Sequence, residues 1–219
     1  MIVLNLKNYA ETYRRIDLLV DAAREASQET EVRIIICPPA THLQRARMAH
    51  KEVFAQHVDA VEPGAYTGYV LPEALKSIGI RGSLINHSER RCPEKVPLTS
   101  SLLKKYGLES IVCAESPAEC RQFAKFKPDF IAIEPPELIG SGKSVSKTKP
   151  KVITDSLDEL RKVSKAIPLL CGAGVSDKKD VDKALALGAS GVLLASAFVK
   201  ATDPLKFLLD LAKPFKKYM

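Results

Sequence analysis

Short runs of β-branched and other apolar residues alternate along the chain with longer segments whose apolar residues recur every three or four positions. The first pattern predicts strands and the second predicts amphipathic helices. Eight runs are predicted as strands, at residues 2–6, 32–36, 52–55, 83–85, 110–113, 130–133, 168–171 and 191–194. Several are apolar at successive positions, as expected for parallel strands covered on both faces.

The clearest helical segments cover residues 12–26, 117–125, 153–166 and 178–187. Asp177 and Asp203 stand where helix N-caps are expected, and Gly188 stands where a left-handed residue ends a helix. This alternation predicts βα units around a parallel sheet, closed as a (β/α)8 barrel, although an open doubly wound sheet has the same pattern. Because 219 residues are fewer than the roughly 250 typical of such barrels, we expect shortened helices and loops.

The composition is that of an ordinary folded protein, with 46% hydrophobic and 27% charged residues and both signs of charge well mixed. No linker, repeat or low-complexity block divides residues 1–219, so one domain is expected. No segment approaches the roughly 20 apolar residues that span a bilayer. The first residues lack the basic region and cleavage site of a secretory signal, which favours a cytoplasmic protein.

Cysteine usage and charge narrow the possible partners. The five cysteines are scattered, without a CxxC pair or zinc spacing, so we expect reduced thiols and no metal site. The net charge of +7 suits an anionic small molecule, because the basic residues are spread along the chain. No basic stripe interleaved with aromatic residues is present, which argues against nucleic-acid binding.

Polar residues follow several predicted strands at the carboxyl ends, where the βα loops of a barrel converge on the active site. They are Asn5 and Lys7 after the first strand, His87, Ser88 and Glu89 after the fourth, and Glu134 after the sixth. A glycine-rich segment with Gly172 and Gly174 follows the seventh strand. A cation, an imidazole, a carboxylate and a glycine-rich loop are therefore expected to meet at one end of the barrel.

The segments around these residues resemble the signature segments of triosephosphate isomerases in order and spacing. They read Asn-Leu-Lys-Asn at 5–8, Cys-Pro-Pro at 37–39, Gly-Ala-Tyr-Thr-Gly at 64–68, Asn-His-Ser-Glu-Arg-Arg at 86–91, Ile-Val-Cys-Ala-Glu at 111–115 and Ile-Glu-Pro-Pro-Glu-Leu-Ile-Gly-Ser-Gly-Lys at 133–143. The resemblance implies interconversion of dihydroxyacetone phosphate and glyceraldehyde 3-phosphate without a metal or organic cofactor.

The resemblance also implies residue roles. Glu134 would be the general base, His87 the electrophile at the carbonyl oxygen and Lys7 the fixed cation, with Asn5 as an orienting group. Glu89 would pair with a cation of the site, and Ser88 would support it. By residue type alone, Glu137 competes with Glu134 for the role of base.

Phosphate is expected to bind backbone amides of glycine-rich loops. By resemblance, the substrate-binding residues are Asn5, Leu6, Lys7, Ile139, Gly140, Gly174, Ala195 and Ser196. The chain departs from the commonest family pattern, which often has serine at Gly174 and a glycine pair at Ala195 and Ser196. Residues 135–142 are expected to close as a lid, although this segment lacks the tryptophan common in its N-terminal hinge.

Thr67 matches the family loop that reaches into a neighbouring subunit, which implies a homodimer. Shortened helices could expose apolar surface for a homotetramer.

Two alternative functions stay open. Another phosphate-binding barrel, such as a sugar-phosphate epimerase or phosphoribosyl isomerase, would need metal-ligand histidines or paired aspartates that the sequence lacks. A barrel that binds a sugar phosphate without converting it has the same fold.

Overall fold

A computed structural model describes residues 1–138 and 144–218. In this part of the chain, eight strands form one parallel sheet in the order β2-β1-β8-β7-β6-β5-β4-β3. Their bounds are Ile2–Asn5 (β1), Ile34–Cys37 (β2), Phe54–Ala55 (β3), Gly82–Ile85 (β4), Glu109–Ala114 (β5), Phe130–Ile133 (β6), Leu169–Cys171 (β7) and Gly191–Leu194 (β8). Each prediction of a strand is confirmed to within a few residues.

The sheet closes on itself between β2 and β3. Ile36 pairs with Val53 in a parallel bridge, and the N–H of Ile36 donates to the carbonyl of Glu52 at 2.9 Å. We call this contact the β2–β3 seam. The (β/α)8 barrel is therefore confirmed, and the open doubly wound alternative is wrong.

Ten α-helices occur in the described residues, and several are as short as the chain length predicts. Their bounds are Ala10–Thr30 (α1), Leu43–Ala49 (α2), Pro72–Ser77 (α3), Val96–Lys105 (α4), Pro117–Ala124 (α5), Val145–Thr148 (α6), Pro150–Arg161 (α7), Lys178–Ala186 (α8), Ser196–Val199 (α9) and Pro204–Ala212 (α10). The α-helices after β2 and β3, α2 and α3, have only seven and six residues. No helix within the two described ranges is both long and apolar enough to cross a membrane.

The predicted helix ends are correct in part. Asp177 caps α8 and Asp203 caps α10, each accepting a hydrogen bond from a backbone N–H three residues later, and Gly188 has a φ of 96°. The helix predicted at residues 153–166 is displaced, because α7 begins at Pro150 and ends at Arg161. Proline suits the first helical position, and Pro168 disfavours helical backbone just before it.

The core has two layers, one inside the barrel and one between the strands and the helices. Val3 and Ala132 belong to the inner cluster. Since side chains two positions apart on a strand share a face, Asn5 and Glu134 continue toward the interior at the carboxyl end. The alternation of the strands thus aims two polar side chains into the mouth of the barrel.

Arg33 occupies the opposite, amino-terminal end of the barrel. Its guanidinium donates to Glu52 at 2.7 Å and to both carboxylate oxygens of Glu109 at 2.7 and 2.9 Å. It also lies over the rings of Phe54 and Phe130, 5.9 and 5.8 Å from their centroids. These contacts join β2, β3, β5 and β6 at the end of the barrel remote from the predicted site.

Candidate active site

Glu134 follows β6 and is almost fully buried, with 2% of its surface exposed. Its backbone N–H donates to the carbonyl of Ala114, the last residue of β5, at 2.8 Å. This hydrogen bond ties the end of β6 to the end of β5. Its Oε2 has no hydrogen-bond partner among the described residues and lies 3.7 Å from Nε2 of His87. Burial raises the pKa of this carboxyl group, although His87, the thiol of Cys113 and Lys7 act in the opposite direction. A buried acceptor with a raised pKa is suited to removing a proton.

The backbone of Gly172, just after β7, packs directly on Glu134. A Cβ at this position would lie 2.4 Å from Cγ of Glu134, far inside van der Waals contact. The N–H of Gly172 donates to the carbonyl of Ile133 at 2.9 Å. Only glycine permits this approach, so Gly172 fixes the position of the carboxylate.

His87 is buried beside Glu134, and its ring tautomer follows from its contacts. The N–H of Glu89 donates to Nδ1 of His87 at 3.2 Å, at the start of a 3-10 turn over Ser88–Arg90. An Nδ1 that accepts a hydrogen bond leaves the proton of the neutral ring on Nε2. The proton-bearing nitrogen therefore faces Glu134.

Asn86 positions His87 and was not singled out by the sequence analysis. It adopts a left-handed backbone conformation with φ of 61°. Its side-chain amide donates to the carbonyl of Cys113 at 2.9 Å, and its side-chain oxygen accepts from the N–H of Cys92 at 2.8 Å. Asparagine tolerates left-handed backbone better than most residues, which is the signal the sequence offered.

Lys7 follows β1 in a left-handed backbone conformation, with φ of 45°. The side-chain oxygen of Asn5 accepts from its N–H at 3.1 Å, and its ammonium group contacts Oε1 of Glu89 at 2.7 Å. Sparsely populated backbone in a non-glycine residue is typical of functional sites. Asn5 and Glu89 thus determine where the positive charge of Lys7 lies.

Gln56 is a second residue that the sequence analysis missed. It follows β3, and its side-chain amide donates to the carbonyls of Lys7 at 3.3 Å and Cys37 at 2.9 Å. The available signal was its place, since it is a polar residue directly after a predicted strand. It ties the catalytic end of β1 to the β2–β3 seam.

Two cavities meet at these side chains. We call the smaller, of about 80 Å³, the inner cavity; it is lined among others by Lys7, His87, Glu134, Gly174, Ala195 and Ser196. We call the larger, of about 550 Å³, the outer cavity; its lining includes Asn5, Lys7, Gln56, His87 and Glu89. The structure thus brings Lys7, His87 and Glu134 to one cavity beside three of the predicted phosphate-binding residues.

The remaining predicted site residues lie as follows. Leu6 is fully buried in the outer layer of the core, and Ser88 is only partly exposed, with a hydroxyl that lacks a partner in the described part of the chain. Thr67 is exposed within a loop whose residues 62–69 are all exposed. Ile139, Gly140 and the predicted lid from residue 139 onward lie outside the described residues.

Glu137, the alternative base, is exposed and forms an ion pair with Lys149. It does not line the inner cavity. Within residues 1–138 and 144–218, no cluster of three or more histidine, cysteine or acidic side chains could hold a metal ion.

A parallel barrel whose mouth holds a buried carboxylate, an imidazole and an ammonium group defines an acid–base enzyme of the (β/α)8 class. Residues 1–213 match the triosephosphate isomerase family. The chain is 44% identical to triosephosphate isomerase of Metallosphaera sedula over 213 residues, covering 96% of this chain and 93% of that protein. It is 42% identical to those of Methanobrevibacter smithii, covering 96% of each chain, and Cenarchaeum symbiosum, covering 97% of this chain and 96% of the other. The chain belongs to the triosephosphate isomerase family.

Proposed function

We propose that Glu134 is the general base of an isomerase that interconverts dihydroxyacetone phosphate and D-glyceraldehyde 3-phosphate. The chain has triosephosphate isomerase activity, the interconversion of an aldose and a ketose phosphate in glycolysis. The observation that supports the assignment of the base is the buried, unpaired Oε2 of Glu134, 3.7 Å from Nε2 of His87.

The proton moves between two neighbouring carbons. The carboxylate of Glu134 removes a proton from the carbon next to the carbonyl and returns it to the other carbon through an enediolate. The Nε2–H of His87 donates a hydrogen bond to the carbonyl oxygen. The ammonium group of Lys7 stabilises the negative charge that develops on oxygen, because a preplaced cation needs no reorganisation during the reaction.

The phosphate group of the substrate binds in the part of the inner cavity that Gly174, Ala195 and Ser196 line. Backbone amides of Gly174, Ala195 and Ser196 are its donors, supplemented by Ile139 and Gly140. Asn5 orients Lys7, the backbone of Leu6 contributes to substrate binding, and Ser88 supports the turn after His87. No step uses a metal or an organic cofactor.

The substitution Glu134→Gln tests the base, with Glu137→Gln as the matched control. Glu134→Gln keeps the shape of the side chain and removes its basicity, so we expect kcat to fall by about 10²–10⁴-fold. Glu137→Gln removes only an exposed ion pair with Lys149, so its kcat stays within a few-fold of wild type. The interconversion of the two triose phosphates by purified protein gives both values. A large loss in Glu137→Gln alone would identify Glu137 as the base.

We also infer a homodimer. The loop at residues 62–69, which carries Thr67, is exposed along its whole length, and the outer cavity of about 550 Å³ beside Lys7 and His87 is the space that such a loop from a second copy would enter. Insertion of the partner's loop there would exclude water from the catalytic groups. Thr67→Arg is expected to yield monomers with lower activity, as measured by analytical ultracentrifugation and assay; the same sedimentation run distinguishes a wild-type dimer from a homotetramer.

Two further expectations accompany this function. Residues 1–219 act as one catalytic domain, since strands from β1 to β8 contribute to a single sheet. The enzyme works in the cytoplasm, which suits five free cysteines, four of them buried.

A further inference from the structure

The loop at residues 62–69 is exposed along its whole length, yet its own contacts give it a defined shape. The N–H groups of Tyr66 and Tyr69 donate to the carbonyls of Gly64 and Tyr66 at 2.9 and 3.1 Å. The rings of the two tyrosines stack on each other, with their centroids 5.3 Å apart. A loop that is already ordered loses little conformational freedom when it binds a partner.

Asp59 holds the base of this loop. Its N–H donates to the carbonyl of Val70 at 2.8 Å, and its Oδ2 accepts from the N–H of Val70 at 2.8 Å. This pair of hydrogen bonds joins the two residues that flank the loop. Farther along, the carboxylate of Glu62 accepts from Lys105 and Tyr106, at the end of α4, at 2.6 and 2.5 Å.

The other carboxylate oxygen of Asp59 contacts the wall of the outer cavity. Oδ1 lies 3.2 Å from Nε2 of His57 and 3.8 Å from the guanidinium group of Arg90, and His57, Val70 and Arg90 all line that cavity. Burial alone would raise the pKa of the Asp59 carboxyl group, but hydrogen bonds from Val70 and His57 lower it below its ordinary value. One ionised carboxylate therefore contacts both the base of the loop and the cavity.

Arg90 links this carboxylate to the catalytic turn. Its N–H donates to the carbonyl of His87 at 2.7 Å, within the 3-10 turn over Ser88–Arg90. Glu89 of the same turn donates its N–H to Nδ1 of His87 and contacts the ammonium group of Lys7. A shift of Arg90 therefore changes the surroundings of two groups in the proposed chemistry.

We propose that Asp59 is a positioning residue that couples the loop given to a second copy with the cavity that receives the loop of that copy, a proposal that rests on the homodimer of the proposed function. In a two-fold symmetric dimer, each subunit both gives its loop and receives the loop of its partner. A single substitution at Asp59 therefore disturbs the interface twice. Activity follows dimer formation, because the received loop packs beside the turn that carries His87.

The test compares Asp59→Ala, Asp59→Asn and a matched control, Asp129→Ala. Asparagine at position 59 can still accept the hydrogen bond from Val70, but it lacks the charge that faces Arg90. Asp129 also accepts from a backbone N–H, that of Ser110 at 2.8 Å, and it lies at the amino-terminal end of the barrel, remote from the loop. Sedimentation and specific activity are measured from about 1 nM to about 10 µM protein, and stability is measured by urea unfolding.

In Asp59→Ala we expect the dissociation constant of the dimer to rise about 10–100-fold, since hydrogen bonds to a charged group are lost in both subunits. Its specific activity falls at low protein concentration. At concentrations that saturate the dimer, it returns to within a few-fold of wild type, because Lys7, His87 and Glu134 are unchanged. Asp59→Asn shows a smaller rise in the dissociation constant. Asp129→Ala lowers the urea midpoint and leaves the dissociation constant unchanged.

A wild-type dissociation constant in Asp59→Ala would overturn the role of Asp59. An equal rise in Asp129→Ala would also overturn it, because lost stability would then explain both results. If Asp59→Ala does not fold, Asp59→Asn takes its place, and an unchanged dissociation constant there contradicts the proposal. A wild type that stays monomeric at every concentration refutes the homodimer itself, whereas a wild-type dimer that Asp59→Ala does not weaken refutes only the coupling through Asp59.

Discussion

The close contact between Gly172 and Glu134 gives the sharpest test of how the carboxylate is positioned. In Gly172→Ala, the new methyl group would lie 2.4 Å from Cγ and 3.1 Å from Cδ of Glu134. Ordinary carbon contacts are about 3.5–4.0 Å, so the side chain of Glu134 must retreat by about 1 Å. A misplacement of this size in a catalytic group costs about 10²-fold in rate.

The same substitution should lower stability, because Glu134 is almost fully buried and has little room to move. Overpacking of this kind costs about 1–3 kcal/mol. Gly107→Ala is the control, since its Cβ would meet only the flexible end of Lys76 at 3.6 Å, at a φ of 65°. It should lose about 1 kcal/mol from backbone strain and keep its activity.

Urea unfolding and steady-state assays of both variants separate the two effects. We expect kcat/KM of Gly172→Ala to fall about 100-fold and that of Gly107→Ala to stay near wild type. A Gly172→Ala enzyme within a few-fold of wild type would show that the contact does not determine the position of Glu134. Equal losses of activity in both variants would attribute the effect to stability alone.

Four further predictions follow from the burial of Glu134 and from other contacts. Because burial raises the pKa of Glu134 in the free enzyme above its ordinary 4.5, kcat/KM should decline on the acid side with a midpoint above 4.5 in a pH–rate profile; a midpoint at or below 4.5 contradicts this. The stability that Glu134 contributes is present below pH 4.5 and is lost as pH rises through its raised pKa, so Glu134→Gln should be the more stable protein at pH 7 in urea unfolding. Arg33→Met leaves the carboxylates of Glu52 and Glu109 without their cation. Because the guanidinium group of Arg33 is only partly exposed, the free energy of unfolding should fall by about 2 kcal/mol. An unchanged urea midpoint would contradict this expectation. Asp177→Ala should cost about 1 kcal/mol through loss of the α8 cap, whereas Asp177→Asn should melt near the wild-type temperature.

The strands were predictable because runs of apolar residues in this chain are short and separated by amphipathic segments. The third strand shows the limit of this signal. Residues 52–55 were predicted, but only Phe54–Ala55 form a strand, since Val53 meets its neighbour across the seam in an isolated bridge. Helices α6 and α9 were not predicted, because four residues are too few for a periodic pattern to be recognised.

The catalytic candidates could be named from motifs at strand ends, but their supporting contacts could not. Gln56 reaches the carbonyl of Lys7 from 49 residues away, a contact that depends on closure of the barrel. The sequence placed Gly172 in a glycine-rich loop at the site, but its contact with Glu134 appears only in the structure. Left-handed backbone at Lys7 has no compositional signal at all, because lysine has no preference for it.

The choice of side chain matters more at the β2–β3 seam than at the other strand pairs of the barrel. Elsewhere, neighbouring strands are joined by ladders of backbone hydrogen bonds, which any residue except proline can make. At the seam the backbone contributes little, and side chains join the strands instead: Gln56 at the catalytic end and Arg33, through Glu52, at the other. Random mutagenesis should therefore find these two positions intolerant of change while other strands accept conservative replacements. The β2–β3 seam is therefore the place at which to cut the chain in order to open the barrel or to replace one part of it with that of another protein.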